Sequence, residues 1–252
     1  MKKIYYYDDF DSDVVKSKNQ EYVLKTNYKW INKNIFYVIW SYVIYWIFLL
    51  ISFFYIKLFL HVSFKNRKLL KGKCNYYLYI NHTQEVGDAF IPPFITRYKR
   101  PFYVVNKANL GIPVLGKLLP LLGAIVIPDG IHDMLKFREA LKFYGDKHPI
   151  IIYPEAHVWP YYTKIRPFKD VSFKYPIQLE KPAFCITNTY QSYGKNNKKI
   201  KIVSYIDGPF YPNKELTLKE QQKELRNKIY NCMEERSENS NIEHIKYIKK
   251  VI

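Results

Sequence analysis

His82 ends a short apolar run in YLYINHTQEVGDAF (residues 77–90), and two carboxylates, Glu85 and Asp88, follow it closely. Neutral imidazole titrates near physiological pH, so it can take a proton from a hydroxyl and pass it on. It does this best when a carboxylate fixes its tautomer and stabilises the imidazolium. Asp88 is the first candidate partner and Glu85 the second. A lone histidine in a loop is often structural, so the surrounding pattern has to decide.

Short apolar runs at 75–81, 101–106, 122–127, 149–153, 183–188 and 200–206 read as strands, and 112–121, 131–145 and 169–179 suit helices. A further helix is predicted over 217–236, with Leu218, Leu225, Ile229 and Met233 near helical spacing. This alternation predicts an α/β fold, a largely parallel mixed sheet flanked by helices. Ligands of such sheets bind beyond the carboxyl ends of the strands. His82, Lys107, Asp129, Glu155 with His157, and Thr187 to Thr189 each follow a different run. The pattern therefore carries polar and reactive side chains to one edge, without appeal to any relative. Tyr153, Trp159, Tyr161 and Tyr162 cluster nearby in sequence and read as core or membrane-facing surface.

Residues 35–56, IFYVIWSYVIYWIFLLISFFYI, carry no charged side chain. As a helix they would extend roughly 33 Å, about the thickness of a bilayer's hydrocarbon core. Lysines flank both ends, so an apolar membrane helix that spans and a helix pair that dips into one leaflet both fit. The polar residues before the run, and the lack of a small-residue cleavage site after it, argue against a signal peptide. Two parts are expected: a membrane-anchoring segment, 1–73, and an α/β domain with a C-terminal helix, 74–252.

The formal net charge is +18, which favours anionic partners such as nucleic acid, acidic proteins or an anionic membrane face. The lysines are scattered and form no recognisable nucleic-acid-binding motif, so a basic nucleic-acid-binding protein is the weaker reading and no nucleic-acid partner is expected. Three cysteines, Cys74, Cys185 and Cys232, lie far apart without metal-ligand spacing. They indicate a reducing compartment, with no metal site expected.

NHTQEVGD, NKANLGIPVLGKLLPLLGAIVI, YPEAH and RPFKDVSF occur in this order and resemble the 1-acylglycerol-3-phosphate (glycerolipid, lysophospholipid) acyltransferase family. The family's NHxxxxD block corresponds to Asn81, His82 and Asp88, with one extra residue between His and Asp. Its K-x-x-L-x-x-P-x-x-G segment matches Lys107, Leu110, Pro113 and Gly116. Its G-x-I-F-I-x-R block aligns with Gly123 to Asp129, and F-P-E-G-T-R with Tyr153 to Val158. Asp129 thus stands where the family has an arginine, and Ala156-His157-Val158 replace Gly-Thr-Arg.

The resemblance implies a divergent membrane-associated O-acyltransferase in which His82 is the general base and Asp88, or failing it Glu85, orients the ring. The donor would be a thioester, acyl-CoA or acyl carrier protein, used as co-substrate with no cofactor. The acceptor would be a lysophospholipid-like alcohol. Glu155 and His157 would belong to the substrate site, with Lys107, Arg166 or Lys169 supplying the missing positive charge. The partners are then a lipid membrane and these substrates, with the catalytic domain on the cytoplasmic face. A catalytically silent or hydrolytic lipid-binding relative is the alternative.

Overall fold

The computed structural model of the chain describes residues 3–15, 21–96, 99–197 and 199–250. In chain order its elements are β1 (Lys3–Tyr7), α1 (Ile35–Leu58), β2 (Ser63–Lys65), β3 (Tyr77–Ile80), the one-turn helices α2 (Gly87–Phe90) and α3 (Pro92–Ile95), β4 (Phe102–Val105), α4 (Leu115–Leu118), β5 (Ala124–Val126), α5 (Ile131–Gly145), β6 (Ile150–Ile152), α6 (Lys174–Gln178), β7 (Ala183–Tyr193), β8 (Lys199–Phe210), α7 (Leu218–Ser237) and β9 (Ile245–Lys249). A seven-stranded sheet has the order β2-β8-β7-β3-β6-β4-β5. From β7 to β5 every pairing is parallel, and β8 runs antiparallel to β7. The expected α/β architecture with a mostly parallel sheet is the one observed.

Side-chain alternation explains why the sheet is covered on both faces. Tyr77, Tyr79, Ile150, Ile152, Ala183 and Cys185 face one core, which Phe137, Ala140 and Leu141 of α5 and Leu225, Ile229 and Met233 of α7 complete. Leu78, Ile80, Ile151, Phe184 and Ile186 face the other, closed by Leu49 and Ile56 of α1 and by Ile91, Phe94 and Ile95 around α3. The α7 helix begins with a capping box between Thr217 and Glu220, which is why the helical pattern starts where it does.

A single apolar helix, α1, accounts for the uncharged run, rather than a pair. Asn34 caps it by accepting from the Phe36 and Tyr37 backbone N–H groups. Its buried residues, Ser41, Tyr45, Leu49, Ser52 and Ile56, form one stripe at helical spacing. The stripe packs on the domain, and Ser41 Oγ donates to Leu121 O at 2.9 Å. The opposite face shows Ile39, Trp40, Trp46, Ile47, Leu50 and Ile51 to the outside. By length and composition α1 could cross a membrane.

Three strands were not expected. β2 is three residues at the sheet edge, paired with β8. β1 and β9 form a separate two-stranded parallel sheet. Trp30 also joins the core, donating from Nε1 to Val126 O at 2.7 Å. Segments from before residue 73 therefore take part in both sheets and in the core. Two predicted helices are shorter than expected: 112–121 yields only one α-helical turn, α4, between Pro113 and Pro120, and 169–179 begins as a 3-10 turn before α6.

Candidate active site

β3 delivers its next residues to the carboxyl edge of the sheet. Asn81 stitches that exit to β7: its amide donates to Asn188 O at 3.0 Å and its Oδ1 accepts the Asn188 N–H at 2.8 Å. One residue on, His82 Nδ1 lies 2.6 Å from Asp88 Oδ2. The same oxygen accepts the Gln84 N–H at 3.0 Å. With a carboxylate as acceptor, Nδ1 carries the proton, and the lone pair of the neutral ring is on Nε2. The His82 side chain is 19% exposed and that of Asp88 only 4%, so the imidazole is reachable while its partner is shielded.

Burial pushes the Asp88 carboxyl above its ordinary range, against the pull of the His82 contact and of the Gln84 and Thr83 backbone N–H groups. Tyr153, the residue that follows β6, supports the pair. Its ring stacks on the imidazole with centroids 4.5 Å apart, and its hydroxyl donates to the Asp88 backbone carbonyl. Burial, reinforced by the Asp88 charge, raises the Tyr153 phenol well above its usual value and keeps it a donor. Glu85 is exposed on the turn between them. Asp88, not Glu85, is the carboxylate against His82.

The extra residue in this block is absorbed by α2. Asp88 lies in its first turn, and Asp88 N–H bonds back to Gln84 O at 3.3 Å. Gly87 has no left-handed φ here. Its use is room, because a Cβ there would sit 2.8 Å from Leu60 Cδ1 and 3.0 Å from Gln84 Cβ. From β7, the buried Tyr190 hydroxyl lies 2.8 Å from Thr83 Oγ1 and accepts from Gln84 Nε2 at 3.0 Å. Tyr153, Tyr190 and Asn81 are the supporting residues that sequence reasoning assigned no such part.

The segment after β6 lies along the histidine loop, with Trp159 N–H on His82 O at 3.0 Å and Tyr161 N–H on Thr83 O at 2.9 Å. Glu155 fixes this arrangement. Its carboxylate accepts the His82 N–H at 3.2 Å, the Arg166 N–H at 3.0 Å and Arg166 Nη2 at 3.0 Å. The Arg166 guanidinium is buried, donates also to His157 O and to Phe10 O at 3.2 Å, and stacks 4.9 Å from the Trp159 ring centroid. Glu155 and Arg166 thus form a buried brace, and Arg166 does not present its charge to solvent.

The other named residues lie outside that brace. The Lys107 ammonium is 2.8 Å from Asp129, in a pair with one exposed partner. His157 Nδ1 meets the Asp13 carboxylate, both groups about one-third exposed. Lys169 is exposed. The Lys107 turn depends on Gly116, where a Cβ would lie 2.0 Å from Leu110 O. Ala156 holds φ +64°, a left-handed conformation that glycine adopts at less cost.

Residues near both ends line the same loop. Trp159 Nε1 donates to Ser12 O at 3.0 Å, and the Trp159 ring stacks on Tyr247 at 5.0 Å. Among the described residues, Cys185, Asp207 and Cys232 are the group whose atoms lie close enough to share a metal ion. Both Asp207 oxygens are already held by Arg236, at 2.9 and 2.7 Å, leaving two thiols 3.7 Å apart between β7 and α7.

No protein-family model matches the sequence, and no curated protein matches it. Among solved structures the chain is similar to the 1-acyl-sn-glycerophosphate (LPA) acyltransferase PlsC from Thermotoga maritima. The TM-score is 0.55 at 16% sequence identity, over 82% of this chain and 89% of that one. This chain has the PlsC fold. The PlsC likeness runs through most of both chains. At this identity the likeness concerns the fold; the chemistry has to be argued from the residues.

Proposed function

We propose that the chain is a membrane-associated O-acyltransferase and a divergent relative of the glycerolipid acyltransferases. The observation that carries this is the His82–Asp88 pair at 2.6 Å on the carboxyl edge of a PlsC-like sheet. His82 Nε2 takes the proton from an acceptor hydroxyl as its oxygen attacks the carbonyl carbon of an acyl thioester. The tetrahedral intermediate collapses with cleavage of the C–S bond, and the departing thiolate takes the proton from the imidazolium. Asp88 stabilises that cation and holds the ring. A thioester is already activated, so the transfer needs no covalent enzyme intermediate.

The acceptor in this reading is a lysophospholipid-like alcohol, and the donor acyl-CoA or acyl carrier protein. Lys107 and Lys169 are the cations available to a phosphate. A surface pair such as Lys107–Asp129 contributes little, so Lys107 can exchange Asp129 for a substrate oxyanion. His157, paired with Asp13, is the further substrate-side residue in this reading, and Glu155 with Arg166 keeps the two loops of the site in register.

Membrane association follows from α1. Its buried stripe packs on the domain from Ser41 to Ile56, roughly 22 Å of helix axis. A spanning orientation would drag the sheet into hydrocarbon. The outward apolar face is therefore assigned to one leaflet, with the helix lying along the membrane and the catalytic domain on its cytoplasmic side. Expression in cells, followed by mass spectrometry of lipid extracts, tests the whole reading. The protein should alter the acyl-chain profile of one phospholipid class and the His82→Ala variant should not. Equal profiles from both forms would remove the assignment.

A further inference from the structure

We propose that the cleft between the N-terminal half of α1 and the amino ends of β4 and β6 binds the phosphate of an anionic phospholipid headgroup. The cleft holds about 280 Å³, and Tyr42, Tyr45 and Trp46 of α1 form one wall. Arg100 and His148, which come just before β4 and β6, form the other, with Lys99 and Lys147 beside them. Among the described residues no carboxylate lines it. Asp146, the nearest in sequence, pairs with Lys181 at 2.9 Å. Among the described residues neither Lys99 nor Lys147 is in an ion pair.

Two buried donors here lack partners among the described residues. Tyr45 is 2% exposed, yet its hydroxyl makes no hydrogen bond. The buried Arg100 donates through Nη2 to Leu121 O at 2.7 Å, while its Nε is also unpartnered. Its guanidinium lies 5.1 Å from the Tyr42 ring centroid and 5.5 Å from that of Tyr45. Buried polar groups are nearly always paired. Two orphaned donors in one cationic cleft call for a ligand rich in acceptor oxygens, and Arg is the residue best shaped for phosphate.

The surroundings identify the source of that phosphate as a lipid, an argument that rests on the membrane-facing reading of α1. Trp46 is exposed beside Ile39, Ile47 and Leu50 on the outward face, so the cleft opens at the border of the apolar surface. A lipid whose chains descend into the leaflet beside the apolar face of α1 places its headgroup there, and basic pockets beside membrane helices suit anionic headgroups. The cleft is at the amino edge of the sheet, opposite the edge that carries His82. It is therefore separate from the acceptor site.

The test is co-sedimentation of the full chain with vesicles of phosphatidylcholine alone or containing one-third phosphatidylglycerol. Tyr45→Phe deletes one hydroxyl and no charge. It should weaken binding to the anionic vesicles by roughly tenfold or more, the scale of a hydrogen bond to a charged group, and leave binding to phosphatidylcholine unchanged. Arg100→Gln should lose more. Lys219→Gln/Lys223→Gln on α7, with more charge removed away from the cleft, should lose little. Tyr45→Phe and Arg100→Gln binding anionic vesicles like the parent would overturn the site and leave only diffuse charge. Inorganic phosphate that erases the anionic preference at constant ionic strength would reassign the cleft to a soluble ligand. Failure of the parent to bind phosphatidylcholine vesicles would overturn the membrane-facing reading of α1 and this proposal with it. A parent with no acyl transfer but an intact anionic preference, lost in Tyr45→Phe, would overturn the enzymatic reading and support the cleft.

Discussion

The His82 imidazole is stacked on the Tyr153 ring at 4.5 Å, and the Tyr153 hydroxyl is bonded to the carbonyl of Asp88, the residue that holds the imidazole by its edge. One residue just past β6 therefore positions both members of the pair. Tyr153→Phe keeps the stacked ring and loses only the hydroxyl bond. Its kcat for acyl transfer should fall roughly threefold to thirtyfold with the fold intact, since a lost hydrogen bond is worth about 0.5–1.5 kcal/mol and more beside a charge. Tyr153→Leu should lose substantially more. Steady-state kinetics with circular dichroism checks both.

Asp88→Asn should lower kcat by roughly 10²-fold or more, because an amide cannot stabilise the imidazolium. Glu85→Gln should stay within about twofold of the parent. A Glu85→Gln variant that loses activity as severely as Asp88→Asn would reverse the assignment of the partner.

The same carboxylate sets a stability trend. Burial raises Asp88 above its unfolded value, so the folded state holds its proton to higher pH than the unfolded chain does. Any stability from this group is fully present below the unfolded pKa of about 3.9 and is lost as pH rises through the folded value. Asp88→Asn removes that dependence. Denaturation at pH 4 and pH 7 should show the variant gaining stability on the parent as pH increases.

Removing one member of a buried ion pair leaves the other charge uncompensated, at a cost of roughly 3–5 kcal/mol. Arg166→Met should therefore lower Tm by roughly 6–20 °C, and Glu155→Gln should loosen the His82 loop as well. A paired Arg166→Met/Glu155→Leu variant should recover much of the stability without restoring activity. Thermal melts and acyl-transfer assays on the three proteins separate the two effects.

Glycine positions give opposite expectations. Gly116→Ala places a Cβ 2.0 Å from Leu110 O and should destabilise by roughly 1–3 kcal/mol. Ala156→Gly relieves a left-handed residue and should stabilise by up to about 1 kcal/mol, the strain being partly offset by glycine's entropy in the unfolded chain. Urea titration of both variants provides the comparison.

Much of this was legible in the chain. Continuous apolar runs such as YLYI and III, and the helical spacing of Leu225, Ile229 and Met233, reflect burial, and burial writes itself into local pattern. The strand-end rule placed His82 at the carboxyl edge of the sheet, where it follows β3. The partners of His82 were harder to read. The extra residue before Asp88 disappears into a helical turn whose glycine serves the approach of Leu60, a contact between distant segments. Arg166 looked like a ligand for phosphate because charge is visible in sequence. Its actual company, Glu155, Phe10 and Trp159, is set by tertiary packing. β1 and β9 escaped notice because neither forms a sheet until the other is present.

That last pairing orders events during synthesis. Lys250 N–H reaches Tyr7 O at 2.8 Å, and Tyr247 stacks on Trp159 beside the histidine loop. The wall of the site near Trp159 is thus built from a strand translated early and a strand translated late. The apolar helix leaves the ribosome long before β9 does and can reach a lipid surface first. In the membrane-associated reading proposed above, a nascent chain would then be anchored before that wall is complete, and the site would be finished only at the lipid surface.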